Sequence, residues 1–240
     1  MAKDIQSLMP YVQAAVTQYD MIAEGDRVAV GVSGGKDSLV LLVLLARLRQ
    51  FYSKSFSLTA ITLDPQFDGP ADFSAVEELC KELDVTYILK RTHLWEAVVS
   101  EGQADHPCSL CAKMRRGALH KTAVEEGCNV VALGHHADDA AETFWMNLVS
   151  GGNLSCFSPK AELDRRQIML IRPMIYLREK DIEAVSHNEK LPIVTSACPA
   201  NGVTSRENAK KQLEALSKEY GKDMTAQIIN GLKKANISGW

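Results

Sequence analysis

A glycine-containing segment between a buried strand and a helix carries the strongest chemical signal in the sequence. The strand is a β-branched run over 27–32, and the predicted helix spans Asp37 to Gln50. Backbone N–H groups in such a turn point inward and bind phosphate oxygens, while the helix dipole and a lysine add positive charge. The residues that we expect to bind phosphate are Ser33, Gly34, Gly35, Lys36, Asp37 and Ser38.

The spacing of this phosphate loop excludes two common nucleotide-binding motifs. A Walker A loop needs four residues between its first glycine and the Gly-Lys pair, followed by Ser or Thr. Here only three residues separate Gly31 from Gly35, and Asp37 follows Lys36. The segment is not a Gly-x-Gly-x-x-Gly loop either. A tight turn without a ligand would give the lysine and the aspartate little purpose.

A second polar segment follows another predicted strand, over 129–133. Ligands of doubly wound sheets lie beyond the carboxyl ends of the strands, so the two polar strand ends should face one crevice. The candidates in this segment are Gly134, His135, Asp138 and Asp139. The aspartates suit Mg²⁺ binding or orientation of a reacting group, or they cap the following helix. Asp64, at the end of the second strand, is a further candidate for the nucleotide pocket, or a turn residue.

A Cys-x-x-Cys pair, Cys108 and Cys111, stands at the predicted start of a helix. It suits a redox pair, half a zinc or iron–sulfur site, or a deaminase centre. The deaminase signature needs His-x-Glu, and His93 and Glu96 are one residue too far apart. Cys198, after a predicted strand over 192–195, is the best third ligand. Three thiolates can hold a [4Fe–4S] cluster with one open iron, or zinc with an open position.

The elements that position these residues alternate between strand-like and helix-like patterns. This alternation predicts an α/β fold, a doubly wound parallel sheet with helices on both faces. We expect an N-terminal helix over 1–24, the main domain over 25–200, and C-terminal helices over 201–240 that pack on the same domain. Further predicted helices span 94–99 and 109–126.

The composition suits one folded domain without a membrane segment. The chain has 240 residues, 46% hydrophobic, and a net charge of −3, so nucleic acid would have to bind local basic patches. We find no targeting segment and expect a cytoplasmic protein. In a reducing compartment its six cysteines predict metal or redox chemistry rather than disulfides. The three cysteines with predicted structural or loop positions are Cys80, Cys128 and Cys156.

Residues 33–38 match the Ser-Gly-Gly-x-Asp-Ser pattern of the PP-loop ATP pyrophosphatase superfamily. With the Pro-Cys-x-x-Cys and Gly-His-x-x-Asp-Asp segments in this order, the chain resembles the tRNA 2-thiocytidine synthetases. The resemblance runs from about residue 20 to 220 and implies an adenine nucleotide alpha hydrolase-like fold. The family often has a second Cys-x-x-Cys near the third ligand, where this sequence has only Cys198.

The resemblance implies a tRNA-thiolating sulfurtransferase that uses ATP, Mg²⁺ and a [4Fe–4S] cluster. It would adenylate the C2 oxygen of an anticodon-loop cytidine and replace it with sulfur. Cys108, Cys111 and Cys198 would be the cluster ligands, Lys36 would bind phosphate, and Asp138 would be the catalytic or metal-binding acid. Sulfur would come from a cysteine desulfurase or free sulfide, through the cluster or a persulfide on Cys108 or Cys111. A homodimer is a further expectation.

Basic residues near the cysteine pair and later in the chain are the candidates for tRNA binding. They are Lys113, Arg115, Arg116, Lys121, Lys160, Arg165, Arg166, Arg172 and Arg178. Three alternative functions stay open. A PP-loop ligase would use an amine nucleophile and would not need the cysteines. A nucleotide- or RNA-binding module with a metal would bind ATP without making AMP. A desulfurising enzyme would not need ATP.

Overall fold

A computed structural model describes residues 3–67, 69–93, 107–163, 168–195, 198 and 205–240, with the backbone alone for 107–109. The helices are α1 Ile5–Gln18, α2 Lys36–Arg49, α3 Ser74–Glu82, α4 Pro107–Glu125, α5 Ala137–Gly151, α6 Glu179–Asn188, α7 Ser205–Tyr220 and α8 Met224–Lys234. The strands are β1 Asp26–Gly31, β2 Phe56–Asp64, β3 Thr86–Arg91, β4 Val130–Ala132, β5 Lys160–Leu163 and β6 Ile168–Ile171. A short 3₁₀ helix, Ile237–Gly239, follows α8.

The described strands form one sheet in the order β3-β2-β1-β4-β6-β5. All neighbouring strands are parallel except β5, which runs antiparallel to β6. From β1 the chain builds outward through β2 to β3, and it then returns to place β4 on the other side of β1. The strand order therefore reverses between β1 and β4, where ligands of such sheets bind. The predicted doubly wound sheet is confirmed.

Side chains alternate between the two faces of the sheet. On β1, Val28 and Val30 join the larger core with α1, α2 and α6, whereas Ala29 points to the opposite face. There it packs with Leu119 and Ala123 of α4. Successive strand residues point to opposite faces, so both faces of a central strand are buried only when helices cover both. The two clusters confirm helices on both sides.

The N-terminal helix packs on α2, and α7 and α8 pack on α5. The indole Nε1 of Trp145 in α5 donates a hydrogen bond to Gln212 of α7 at 2.7 Å. The C-terminal helices therefore contact the helix that follows β4. The expected limits of the three segments, 1–24, 25–200 and 201–240, stay a prediction.

Two details of the strand prediction were wrong. Residues 192–195 form no strand, since Val194 donates its backbone N–H to the Gly34 carbonyl at 3.0 Å instead of pairing with the sheet. The edge of the sheet beside β6 is occupied by β5, which the sequence analysis missed. The predicted helix over 94–99 lies outside the described residues. Within the described part of the chain, no helix combines the length and apolarity needed to cross a membrane.

Candidate active site

The phosphate loop is held by its own two serines. The Oγ of Ser38 accepts a hydrogen bond from the Ser33 N–H at 3.1 Å and donates one to the Gly35 carbonyl at 2.9 Å. The N–H of Gly35 donates to Ser33 Oγ at 3.3 Å. These bonds close the turn between β1 and α2 before any ligand binds. A loop of this kind presents further backbone N–H groups at the start of a helix, as phosphate binding requires.

Gly34 fits a position where a side chain has no space. Its φ of +83° is in the left-handed region. A Cβ there would lie 2.8 Å from Val194 Cβ and 3.1 Å from Phe73 Cε1. The phosphate loop is therefore packed against the segment before Cys198 and the residue that precedes α3.

The end of β4 meets the loop closely. A Cβ on Gly134 would lie 3.1 Å from the backbone carbonyl of Asp37. The two polar strand ends thus lie together at the reversal of strand order, beside a cleft of about 530 Å³. The residues that line this cleft are Gly31, Val32, Ser33, Asp37, Ser38, Ile61, Leu63, Ala112, Arg115, Arg116, Leu119, Leu133, Gly134, His135, Asp139 and Arg206. The expected shared crevice exists.

Two carboxylates surround Lys36. Its Nζ lies 3.3 Å from Asp37 Oδ1 and 3.1 Å from Glu179 Oε1 of α6. Burial opposes the charged form of Lys36, but Asp37 and Glu179 raise its pKa overall. Burial would also raise the pKa of Glu179, but hydrogen bonds from Lys210 and Lys36 lower it to about 2. Glu179 therefore stays ionised.

Asp37 is the one acid among residues 33–38, with a side chain 34% exposed, and its partial burial raises its pKa despite Lys36. Its Oδ1 is buried and, among the described residues, has no hydrogen-bond partner, although Lys36 Nζ lies within ion-pair distance. An acid oxygen in this position, at the wall of the cleft, is suited to a cation that arrives with phosphate. A carboxylate oxygen without a hydrogen bond at this position suits a hard divalent ion such as Mg²⁺.

The two neighbouring aspartates of α5 have different surroundings. Asp139 lines the cleft, ion-pairs with Arg206 at 2.7 Å, and forms a capping box with His136, whose backbone N–H donates to Asp139 Oδ2 at 3.0 Å. Asp138 faces α6 and α8 instead. It accepts hydrogen bonds from the Glu179 N–H at 2.7 Å and from Arg178 Nε at 3.0 Å. Capping, the alternative role, is thus observed for Asp139.

Asp64 is buried at the end of β2. Its carboxylate accepts hydrogen bonds from the backbone N–H of Gln66 at 2.9 Å and of Ala71 at 3.1 Å. These contacts organise the loop between β2 and α3, while the neighbouring Leu63 lines the cleft. The proposed part of Asp64 in nucleotide binding stays a prediction.

Two of the three candidate cysteines lie on the helix that borders the cleft, and the third follows a segment that packs on the phosphate loop. Cys108 is in the first turn of α4, and its side chain lies outside the described residues. Cys111 is half-buried and directly precedes Ala112 of the cleft lining. Cys198 is also half-buried, four residues after the Val194 that bonds to the phosphate loop, so it lies within ~14 Å of Val194. The described residues contain no cluster with metal-site geometry.

The three other cysteines have structural surroundings. Cys80 and Cys128 are buried, and burial raises the pKa of both thiols, that of Cys80 to about 11. Cys156 is half-buried and donates a hydrogen bond to the Ala140 carbonyl, and burial raises its pKa to about 11. Protonated thiols of this kind are poor nucleophiles and poor metal ligands.

Four of the expected basic residues can be described relative to the cleft. Arg115 and Arg116 line it, Arg172 lies behind His135, and Arg178 pairs with Asp138 and Asp223. Arg165 and Arg166 lie outside the described residues. The structure adds residues that the sequence analysis did not single out: Glu142, Glu179, Arg206 and Lys210. No local pattern marks them, because their partners lie far away along the chain.

A family model and solved structures of known proteins identify the general class of this chain. A family model for the PP-loop domain matches residues 8–213. Two solved structures share the fold: the U34-tRNA thiolase NcsA from Methanococcus maripaludis with its [4Fe–4S] cluster (TM-score 0.74, 22% identity, 96% of this chain and 79% of that one), and the NH3-dependent NAD synthetase from Campylobacter jejuni (TM-score 0.53, 17% identity, 100% and 97%). The chain belongs to the PP-loop family.

Proteins with similar sequences identify a particular family within this class. The tRNA-cytidine(32) 2-sulfurtransferase of Citrifermentans bemidjiense is 38% identical over 210 residues, which cover 85% of this chain and 81% of that protein. The tRNA-cytidine(32) 2-sulfurtransferase of Erwinia tasmaniensis is 39% identical over 203 residues, which cover 83% of this chain and 63% of that protein. Within the PP-loop proteins, the chain belongs to the tRNA-cytidine(32) 2-sulfurtransferase family, as the sequence motifs predicted.

Proposed function

We propose that this chain is an ATP-dependent tRNA sulfurtransferase that replaces the C2 oxygen of an anticodon-loop cytidine with sulfur. The observation that carries the proposal is the convergence of the phosphate loop, the end of β4 and the first half of α4 on one cleft. The names of the relatives support cytidine 32 as the target. Arg115 and Arg116, at the wall of the cleft, are suited to bind the phosphates of the RNA.

Adenylation explains the need for ATP. The C2 carbonyl carbon of cytosine is a poor electrophile, and oxide is a poor leaving group. The carbonyl oxygen attacks the α-phosphorus of ATP and pyrophosphate leaves, so that the oxygen becomes part of a good leaving group. A sulfur nucleophile then bonds to C2, and the C2–O bond breaks to release AMP. Loop N–H groups and Lys36 stabilise the charge that develops on the phosphates.

A magnesium ion fits beside the loop. Asp37, whose Oδ1 has no hydrogen bond among the described residues, and Asp139 both belong to the cleft wall. Mg²⁺ is usually bound by one or two carboxylates together with the phosphates of the substrate. We propose that Asp37 and Asp139 contact the ion, and that Asp138 acts on the same site through its hydrogen bond to Glu179, the partner of Lys36.

The cysteine set is suited to a [4Fe–4S] cluster. Cys111 is half-buried beside the cleft lining, and Cys108 stands one helical turn before it. Cys198 is half-buried four residues after Val194, which bonds to Gly34 of the phosphate loop. Three thiolates leave one iron without a protein ligand. When bound, such a cluster would carry the sulfur to the target base. Free sulfide or a cysteine desulfurase is the proposed sulfur source, with a persulfide on Cys108 or Cys111 as an alternative carrier.

Anaerobic purification of the full chain tests this proposal. Iron, sulfide and zinc contents are measured for the wild type, Cys198→Ser and the matched control Cys156→Ser. The thiol of Cys156 donates to the Ala140 carbonyl, and a serine hydroxyl is also a donor. We expect iron and sulfide in the wild type and control, and their loss in Cys198→Ser. With tRNA, ATP, Mg²⁺ and sulfide, the wild type should form AMP, pyrophosphate and 2-thiocytidine.

Other outcomes identify the alternatives. Iron-free wild-type protein that still thiolates tRNA would refute the cluster. With free sulfide as the donor, this result would support direct attack by sulfide, whereas thiolation that requires a cysteine desulfurase would support a persulfide carrier. AMP formation that depends on an amine, and not on Cys198, would support a ligase. ATP binding without AMP formation, under conditions in which tRNA binds, would support a binding module.

A further inference from the structure

A buried arginine lies behind the cleft. Arg172 follows β6 directly and is only 7% exposed. Its Nη1 donates a hydrogen bond to the Ser158 carbonyl, and its guanidinium carbon lies 4.7 Å from the centroid of the Phe157 ring. The same ring lies 5.0 Å from the ring of His135. Arg172 is thus held on two sides, and His135 stands between it and the cleft.

The contact between the two residues determines where the imidazole proton lies. The Nε of Arg172 lies 3.3 Å from Nδ1 of His135. A guanidinium group has only donors, so the ring nitrogen that faces it must accept. A neutral imidazole has one N–H and one acceptor nitrogen, so its proton lies on the opposite nitrogen, Nε2. A flip of the ring would place a carbon against the arginine, and a ring carbon accepts no hydrogen bond, so the contact favours the orientation with Nδ1 towards Arg172.

The surroundings also keep this imidazole neutral. The charged and titratable groups that face it are Arg172, which follows β6, His136 and Asp139 at the start of α5, and Arg206 of α7. Burial and then the positive charge of Arg172 lower the pKa of His135 to about 4, against the opposing effect of Asp139. His135 is therefore a hydrogen-bond donor at neutral pH, and not a general base or a cation.

We propose that Arg172 is a positioning residue that fixes His135 as a neutral Nε2–H donor directed at an oxygen acceptor in the cleft. The acceptor is an oxygen that gains negative charge in the reaction, either a phosphate oxygen during adenylation or the former carbonyl oxygen as the C2–O bond breaks. This role rests on the proposed function, in which both oxygens enter this cleft. Preorganised donors of this kind stabilise developing charge more than they stabilise the ground state.

Nitrogen-15 NMR of the histidine rings tests the proton position without any assay of activity. The full-length protein is labelled at histidine, and the His135 signals are assigned by their loss in His135→Gln. We expect a neutral ring at pH 7 with an unprotonated Nδ1 and a protonated Nε2. Arg172→Met, which has no donor, should give a mixture of tautomers, while Arg172→Lys should recover the Nε2–H form. A wild-type ring protonated at Nδ1, or a charged ring, would overturn the proposal.

Kinetics then identify the acceptor. We expect Arg172→Met to lower the kcat for 2-thiocytidine formation by roughly tenfold, the loss of one well-placed hydrogen bond, with partial recovery in Arg172→Lys. Weaker ATP binding without tRNA would identify a phosphate oxygen, and unchanged ATP binding a carbonyl oxygen. Full kcat in Arg172→Met, with the same tautomer as the wild type, would refute the role. If the wild type forms no 2-thiocytidine, the proposed function fails while the tautomer result stands.

Discussion

The ammonium group of Lys36 lies 3.1 Å from the carboxylate of Glu179, which joins the phosphate loop to the first residue of α6. The same carboxylate lies 2.7 Å from Lys210 of α7. Three segments that are distant in sequence are therefore connected through one acid. An incoming polyphosphate would meet a lysine that already has a carboxylate partner, so binding requires an exchange of partners at Lys36.

Replacement of Glu179 by Gln should change how stability depends on pH. Lys210 and Lys36 lower the folded-state pKa of Glu179 to about 2, below its ordinary value of 4.5. The ionised acid therefore stabilises the fold fully above pH ~4.5, and this contribution disappears as the pH falls towards 2. We expect Glu179→Gln to be less stable by roughly 1–3 kcal/mol at pH 7, with a smaller difference at pH 3.5. Urea unfolding at both values measures this.

The matched control is Glu219→Gln, which changes an exposed carboxylate on α7. It should lower stability by less than about 0.5 kcal/mol at either pH. An equal loss for Glu179→Gln at pH 7 and pH 3.5 would contradict the assigned ion pairs.

Glu142 should make the folded protein less stable as the pH rises, the opposite of the effect of Glu179. It is 5% exposed, and burial followed by the negative charge of Asp139 raises its pKa to about 7. The folded protein therefore favours the protonated acid, and stability is lost as the pH rises from about 4.5 through 7. Glu142→Gln should remove this loss and raise the free energy of unfolding at pH 8 by roughly 2–3 kcal/mol. Chemical denaturation at pH 5 and pH 8 measures it, and a wild type equally stable at both values would refute the shift.

The sequence predicted the two polar strand ends and their meeting, because both follow from local patterns and one rule of sheet topology. Residues 27–38 predict a strand, a glycine turn and a helix, and parallel strands bring their carboxyl ends to one edge. The partners of these residues could not be predicted in the same way. The contact between Lys36 and Glu179 spans 143 residues, and no periodicity encodes it. Strand β5 was missed since its four residues include Lys160 and Glu162 and pair only at the sheet edge.

Gly34→Ala should weaken nucleotide binding for two separable reasons. A side chain at φ +83° is strained, and its Cβ would lie 2.8 Å from Val194 Cβ. Gly25 has a similar φ of +78° but nothing within 4 Å of its Cβ position, so Gly25→Ala measures the strain alone. We expect a loss of roughly 1 kcal/mol in Gly25→Ala with normal ATP binding. Gly34→Ala should lose more stability and at least tenfold in ATP affinity, measured by calorimetry. Equal behaviour of the two variants would contradict the close packing at Gly34.

The single variants Asp138→Asn and Asp139→Asn should differ in how much stability they lose. Asp138 accepts hydrogen bonds from the Glu179 N–H, Arg178 and Thr225. Asp138→Asn therefore removes one of the two carboxylate partners of the partly buried Arg178 and leaves it Asp223. We expect a loss of roughly 2–3 kcal/mol in stability. Asp139→Asn weakens only a capping box and the contact with Arg206, so we expect about 1 kcal/mol.

If Asp139 contacts the magnesium ion, Asp139→Asn should have the larger effect on the Mg²⁺ dependence of catalysis, although it has the smaller effect on stability. AMP formation in Asp139→Asn should then need higher Mg²⁺ concentrations than in the wild type, while Asp138→Asn should keep the wild-type Mg²⁺ dependence with a moderately lower rate. The measurements are thermal unfolding and Mg²⁺ titrations of AMP release for both variants. The opposite result, a stable Asp138→Asn protein without turnover, would return the role of metal or catalytic acid to Asp138. The contacts favour Asp139, because its carboxylate lies at the wall of the cleft while that of Asp138 is engaged by α6 and α8.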